Sequence, residues 1–259
     1  MHPADWRLIN GESLEAIPAA LARGRGNATA RLLARSDWLL RRKSDGCFVA
    51  VRRADTLREL RRGLLDRALR EDLASLVQAD ASGETLRPLS GLQQRLHALG
   101  LADDYGHSHD LQLIAEPCVL SYAGRDRYAR PLWLTAAAAR GWRLMRSAAL
   151  ADGVALQAIS GYRSHAYQMG IFRRKLARGQ TVGEILTVNA APGYSEHHSG
   201  LAIDIGTPGE PAAEESFERT AAFAWLEKNA DGFDFSMSYP RDNPHGIVYE
   251  PWHWLHASA

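Results

Sequence analysis

Ser195-Glu196-His197-His198-Ser199-Gly200-Leu201-Ala202-Ile203-Asp204, taken with Glu250-Pro251-Trp252-His253 near the C-terminus, decides how this chain is read. Leu201, Ile203 and Ile205 alternate with Ala202 and Asp204, the pattern of a strand with its aliphatic face in the core. Asp204 and the small Ala202 then share the other face, where Gly200 and Ala202 leave room for a metal ion and a substrate. His197 precedes the strand on a loop that can fold back toward Asp204, and His253 arrives from the last strand. Two imidazoles and one carboxylate leave a fourth tetrahedral position open, which is the arrangement of a catalytic rather than a structural zinc site. A regular strand would put Glu250 and His253 on opposite faces. Pro251 is therefore expected to mark a bulge or tight turn that brings both to the ion.

With one ion per chain in place, its water should acidify toward pKa ~7. Glu250 can take that proton and deliver it to a leaving amine. A developing oxyanion needs a fixed cation, and Arg163, set just after a strand by Gly161, is the best candidate. Singly, each residue has a plainer explanation. His197 could be a satisfied core histidine, Asp204 a cap or ion-pair partner, and Trp252 and Trp254 core or pocket wall. His198 adjoins a ligand and is expected behind the site or on the surface. His245 falls in a turn and His256 in a tail.

The constellation as a whole is harder to dismiss. Ser195-x-His197-x-x-Gly200-x-Ala202-x-Asp204 followed by Glu250-x-x-His253 resembles the LAS metallopeptidases. These include D-alanyl-D-alanine carboxypeptidases of the vancomycin-resistance type, D,D-dipeptidases, L,D-carboxypeptidases and phage endolysins. Ser160-Gly161-Tyr162-Arg163-Ser164 with Gln168, and Tyr249 to Trp254, are most similar to the carboxypeptidase branch. The resemblance runs from about Ile114 to His256 and implies zinc ligands at His197, Asp204 and His253. It implies the base at Glu250 and the carbonyl-holding arginine at Arg163. Ser195 and Gln168, with Tyr162 and Trp252 beside them, are implied to meet the substrate. That substrate is a peptidoglycan stem peptide or muropeptide, cut before a terminal D-alanine. L,D-carboxypeptidase and endopeptidase activities are the enzymatic alternatives. A metal-retaining binding module without turnover is the non-enzymatic one, and the presence of Glu250 and Arg163 argues against it.

The rest of the chain sets bounds. Its 259 residues are 46% hydrophobic and 24% charged with a net charge of +1, ordinary for a soluble globular protein. Residues 23–70 hold fourteen Lys/Arg against five acids, a balance of +9, which leaves about −8 elsewhere. This basic front can dock on the acidic back or meet an outside partner. Interleaved aromatics and binding motifs are missing from it, so nucleic acid is not expected. Cys47 and Cys118 are read as two buried free thiols, with a disulfide as the alternative. No run approaches the ~20 apolar residues of a membrane span, and the first thirty residues lack a signal-like apolar stretch. Cytoplasmic residence is favoured for a complete chain, and a periplasmic or secreted location for a trimmed one.

The expected fold is α+β, a mainly antiparallel sheet with flanking helices around one zinc site. An N-terminal hairpin-plus-helix subdomain (1–100) precedes the peptidase domain (101–259). Residues 1–35 are weakly patterned. A hairpin turns at Ser44-Asp45-Gly46. Leu57 to Leu76 recur near helical spacing. His107 and His109 sit in a polar loop read as solvated surface, with a second, weak metal site as the less favoured alternative. Leu111 to Leu120 reads as a strand broken at Pro117, and Pro131 opens a helix with a buried stripe of Thr135, Ala138, Trp142, Met145 and Ala149. A strand at 154–159, a helix from His165 to Ala177, a helix capped by Ser216, and strands near 233–239 and 247–254 complete the chain.

Overall fold

The computed structural model describes residues 6–82 and 85–257. The chain divides into two units, residues 1–87 with 117–122, and residues 88–116 with 123–259. Among the described residues there are eight α-helices and two antiparallel sheets, which is the expected α+β class.

The first unit begins where no regular structure was expected, with strands β1 (Arg7–Asn10) and β2 (Leu14–Pro18). They reverse around Gly11-Glu12-Ser13, and Asp72 locks the turn by accepting the N–H groups of Glu12, Ser13 and Leu14 at 2.7–2.9 Å. A short exposed helix, α1 (Asn27–Ala34), leads into β3 (Trp38–Arg42) and β4 (Phe48–Arg53). These two form the expected hairpin, with Gly46 at φ +71° in its turn. The leucines from 57 onward do not lie on one helix. Leu57 belongs to a strand, β5 (Thr56–Glu59), and helix α2 (Arg67–Ser82) starts only after Gly63 at φ +83°. Their spacing came close to a helical repeat because both elements turn leucines to the same core, where Leu57, Leu69 and Leu76 meet Ile9, Ala16, Leu40 and Ala50. The sheet order is β5-β4-β3-β2-β1, then β6 (Val119–Arg125). Cys118 is a buried thiol outside any disulfide, as expected, whereas Cys47, at the hairpin end, is an exposed one.

In the second unit, α3 (Leu92–His97) and α4 (Tyr105–Ser108) come before β7 (Pro131–Leu134). The expected strand at 111–120 thus starts later, at Val119, and Pro131 opens a strand rather than a helix. The helix starts after Thr135, whose hydroxyl accepts the N–H of Ala138 and caps α5 (Ala136–Ala151). The rest of its apolar stripe is buried as read: Ala138, Trp142, Met145 and Ala149. Next come β8 (Gln157–Ser160), α6 (His165–Ala177), α7 (Val182–Leu186) and β9 (Ala202–Gly206). Ser216 lies inside a short 3-10 turn, and Thr220 caps α8 (Ala221–Asn229) instead. The last strands, β10 (Phe235–Met237) and β11 (His253–His256), are shorter than expected.

These strands make an antiparallel sheet in the order β10-β11-β9-β8. Ile203, Ile205 and Trp254 pack with Trp142, Met145, Phe217 and Leu226 in one core. His256 is the end of β11 and 6% exposed rather than a tail residue, because it pairs with Phe235. Leu92, Leu96, Tyr105, Phe172, Ile185 and Tyr194 form a second core. Among the described residues no helix is long and apolar enough to cross a membrane.

Candidate metal centre and its cavity

The register of β9 against β11 sets the site, because His253 lies directly opposite Asp204. His253 Nδ1 stands 3.0 Å from Asp204 Oδ1. His197 comes from the 3-10 turn Glu196–Ser199, which ends at Gly200 with φ +69° and so folds back over β9. Its Nε2 lies 3.2 Å from the same Asp204 oxygen. The donor atoms of His197, Asp204 and His253 all lie within 4.8 Å of one another, and all three residues are buried. Ligand bonds of 2.0–2.2 Å at tetrahedral angles place donors about 3.3–3.6 Å apart, and the two short separations fall a few tenths of an ångström below that edge.

Hydrogen bonds on the far side of each ring turn the other nitrogen inward, toward Asp204 Oδ1. His197 Nδ1–H donates to the carbonyl of Gly161 at 2.8 Å. His253 Nε2–H donates to Glu196 Oε2 at 2.8 Å. Orienting partners of this kind are typical of metal-ligating histidines. The electrostatics also favour a cation. Burial, aided by the charge of Arg163, pulls His197 down to about 4 and keeps it neutral. Burial would lower His253 too, but hydrogen bonds to Asp204 and Glu196 outweigh it and push it up to about 10. Burial opposes the charge on Asp204, yet the two imidazoles hold it well below the usual carboxylate range. A charged Asp204 between two ring nitrogens turned to the same point, with His197 kept neutral, fits a divalent ion such as zinc.

Glu250 reaches the site as anticipated, through a turn. The N–H of His253 bonds the carbonyl of Glu250 at 3.0 Å across Pro251 and Trp252. Glu250 Oε2 then lies 3.9 Å from His253 Nδ1. Loss of surrounding water pushes Glu250 up to about 7, with the negative charges of Asp204 and Glu196 acting in the same direction and His253 and Arg163 against it. Arg163 follows β8. Its guanidinium Nη2 is 3.7 Å from Asp204 Oδ2, and its buried Nε has no hydrogen-bond partner. Gly161 permits this path, since a Cβ there would lie 2.7 Å from Leu132 and 2.9 Å from the carbonyl of Trp133.

These groups share a cavity of about 290 Å³ with Gln168, Ser195 and Trp252. Gln168 is 1% exposed, donates to the carbonyl of Ala190 at 3.0 Å and leaves its Oε1 without a partner. Tyr162 is not among the lining residues; its hydroxyl donates to Glu116 at 2.9 Å. His198 is fully buried behind the site, where Nδ1–H donates to the carbonyl of Arg163 and Nε2 accepts the N–H of Gly193. His107 and His109 lie at α4, and His109 stacks 4.4 Å from the ring of Tyr105. The described residues hold one metal-competent cluster, and these two histidines are not in it.

Two residues in contact with His253 went unread in the sequence. Glu196 lay inside the quoted stretch, but nothing local indicated that it would reach His253. Tyr239 lines the cavity with its ring 4.8 Å from that of His253. It has no neighbouring motif that could have marked it.

Comparison with known proteins agrees with this geometry. A family profile described as VanY: D-alanyl-D-alanine carboxypeptidase matches residues 131–259. The bifunctional D-Ala-D-Ala dipeptidase and D-Ala-D-Ala carboxypeptidase VanXYC of Enterococcus gallinarum is 30% identical over 156 residues, covering 57% of this chain and 78% of that protein.

The chain belongs to the VanY family.

A D-alanyl-D-alanine carboxypeptidase of Enterococcus faecalis (strain ATCC 700802 / V583) is 37% identical over 117 residues, covering 41% of this chain and 42% of that one. The chain spans less than half the length of several curated relatives it matches. Among solved structures, a point mutant of the vancomycin-resistance D,D-pentapeptidase VanY, from a VanB-type resistance cassette and in complex with Zn(II), aligns at 27% identity and TM-score 0.41, covering 59% of this chain and 82% of that one.

Proposed function

We propose that this chain is a zinc-dependent D,D-carboxypeptidase that releases the terminal D-alanine from peptidoglycan stem peptides or their precursors. The observation that carries the reading is the convergence of His197, Asp204 and His253 with Glu250 and Arg163 on one cavity. The VanY-family relatives named for D-Ala-D-Ala hydrolysis supply the substrate class.

His197 Nε2, Asp204 and His253 Nδ1 would hold the ion. When bound, Zn²⁺ supplies Lewis acidity toward the scissile carbonyl and acidifies water. Glu250 takes the proton of the attacking water and passes it to the departing D-alanine nitrogen, a task suited to a carboxylate poised near neutrality. The Arg163 guanidinium donates to the carbonyl oxygen as negative charge collects there. The unpaired Gln168 Oε1 accepts an N–H of the peptide; left unmet, a buried acceptor costs about 1–3 kcal/mol. The small walls at Ala190 and Ala213 match methyl side chains.

The test is digestion of defined penta- and tetrapeptide muropeptides by the zinc-loaded protein, read by mass spectrometry. Loss of one alanine from the pentapeptide alone supports the proposal. Loss from the tetrapeptide alone identifies an L,D-carboxypeptidase, an internal cut an endopeptidase, and no cleavage a binding module.

A further inference from the structure

A buried carboxylate is costly to keep and needs partners that repay its desolvation. Glu116 is such a group: it is 4% exposed and lies fifteen positions before the residues that match the VanY profile. Its Oε2 accepts the hydroxyl of Tyr162 at 2.9 Å, and its Oε1 accepts the backbone N–H of His165 at 2.5 Å. Tyr162 and His165 bracket the Arg163-Ser164 pair. The His165 ring is anchored in turn, with Nε2 2.8 Å from the carbonyl of Ile114 on the same segment as Glu116.

Arg163 is held again from the other side. Its N–H donates to the carbonyl of His197 at 3.1 Å, and its carbonyl accepts Nδ1–H of His198 at 2.6 Å. His198 spends its second nitrogen on the N–H of Gly193 at 3.0 Å and stacks edge-on against His165, with ring centroids 4.4 Å apart. The segment carrying the arginine is therefore clasped by two buried side chains, Glu116 and His198. Neither lines the cavity. Among the described residues the guanidinium makes a long 3.7 Å contact with Asp204 and its Nε has no partner, so the backbone is what aims it.

We propose that Glu116, with His198 opposite it, is a positioning residue that fixes the Arg163 backbone so that the guanidinium meets the scissile carbonyl. The proposal rests on the carbonyl-holding role of Arg163 given above. Displacing a catalytic group by about 1 Å costs on the order of 100-fold in rate, so loss of one clasp should lower kcat about 10- to 100-fold with little change in KM.

The experiment is a double-mutant cycle on pentapeptide hydrolysis, followed to long incubation times by mass spectrometry. It uses Glu116→Gln, Arg163→Ala and the double variant. Glu116→Gln is close in shape but turns an NH₂ group toward one of two donors. Tyr162→Phe, which removes only one of the two bonds, serves if Glu116→Gln does not fold. The expected result is a 10- to 100-fold loss in the single variant at unchanged zinc content, and no further loss in the Arg163→Ala background. Unchanged kcat in Glu116→Gln, or an equal loss in both backgrounds, overturns the proposal, because a merely structural residue would act with or without the arginine. Arg163→Ala with wild-type turnover would instead remove the arginine's own role, and so marks failure of the reading beneath the proposal.

Discussion

Replacing Glu196 by Gln isolates the hydrogen bond that orients His253. The carboxylate accepts Nε2–H at 2.8 Å and, despite its own burial, is held below its ordinary pKa by that imidazole. With the amide in its place the bond survives in shape but loses its negative end, and His253 Nδ1 becomes a weaker donor. Outer partners of this kind are worth about 10- to 100-fold in metal affinity, or about 1.4–2.7 kcal/mol. Glu196 keeps 19% of its side-chain surface in contact with solvent, so the lower half of that range is expected. The assay is competition for zinc between the metal-free variant and a chromophoric chelator, at fixed pH, beside wild type. Zinc affinity should fall at least about tenfold while the fold, read by far-UV circular dichroism, stays intact. Affinity within twofold of wild type would show that Glu196 neither orients nor polarises His253.

Glu250→Gln should keep one zinc per chain and lose about 10²- to 10⁴-fold in kcat, the range for removing a general base; steady-state kinetics with metal analysis reads both. Gly161→Ala places a methyl 2.7 Å from Leu132 and 2.9 Å from the carbonyl of Trp133. It should cost about 1–3 kcal/mol, seen as a lower midpoint in urea, and should impair turnover through the displaced Arg163.

The legible parts of the sequence were those decided by local chemistry. Helix α6 runs from His165 to Ala177 as read, since Ser164 caps its start and Gly179 lies just past its end at φ +87°. The buried stripe of α5 follows directly from its spacing. Thr135 was assigned to that stripe but caps the helix, because its hydroxyl can reach the Ala138 N–H, and Pro131 then suits the strand before it. Helix spacing from Leu57 onward was imposed by a shared core rather than by one element, and Gly63 was the local sign of the break. The first two strands escaped notice because their turn is held by Asp72, about sixty positions away. The same holds at the site. His197, Asp204, Glu250 and His253 carry a spacing that can be read, and the structure gathers them together. Glu196, Tyr239 and Glu116 are placed by contacts between distant segments, which no run of residues displays.

The most direct test of a single ion gripped by two imidazoles and one aspartate is metal stoichiometry. Measured by inductively coupled plasma mass spectrometry after zinc loading and desalting, the wild-type chain should carry one zinc and His253→Ala close to none. One zinc per chain in both would contradict the ligand set on which the function rests.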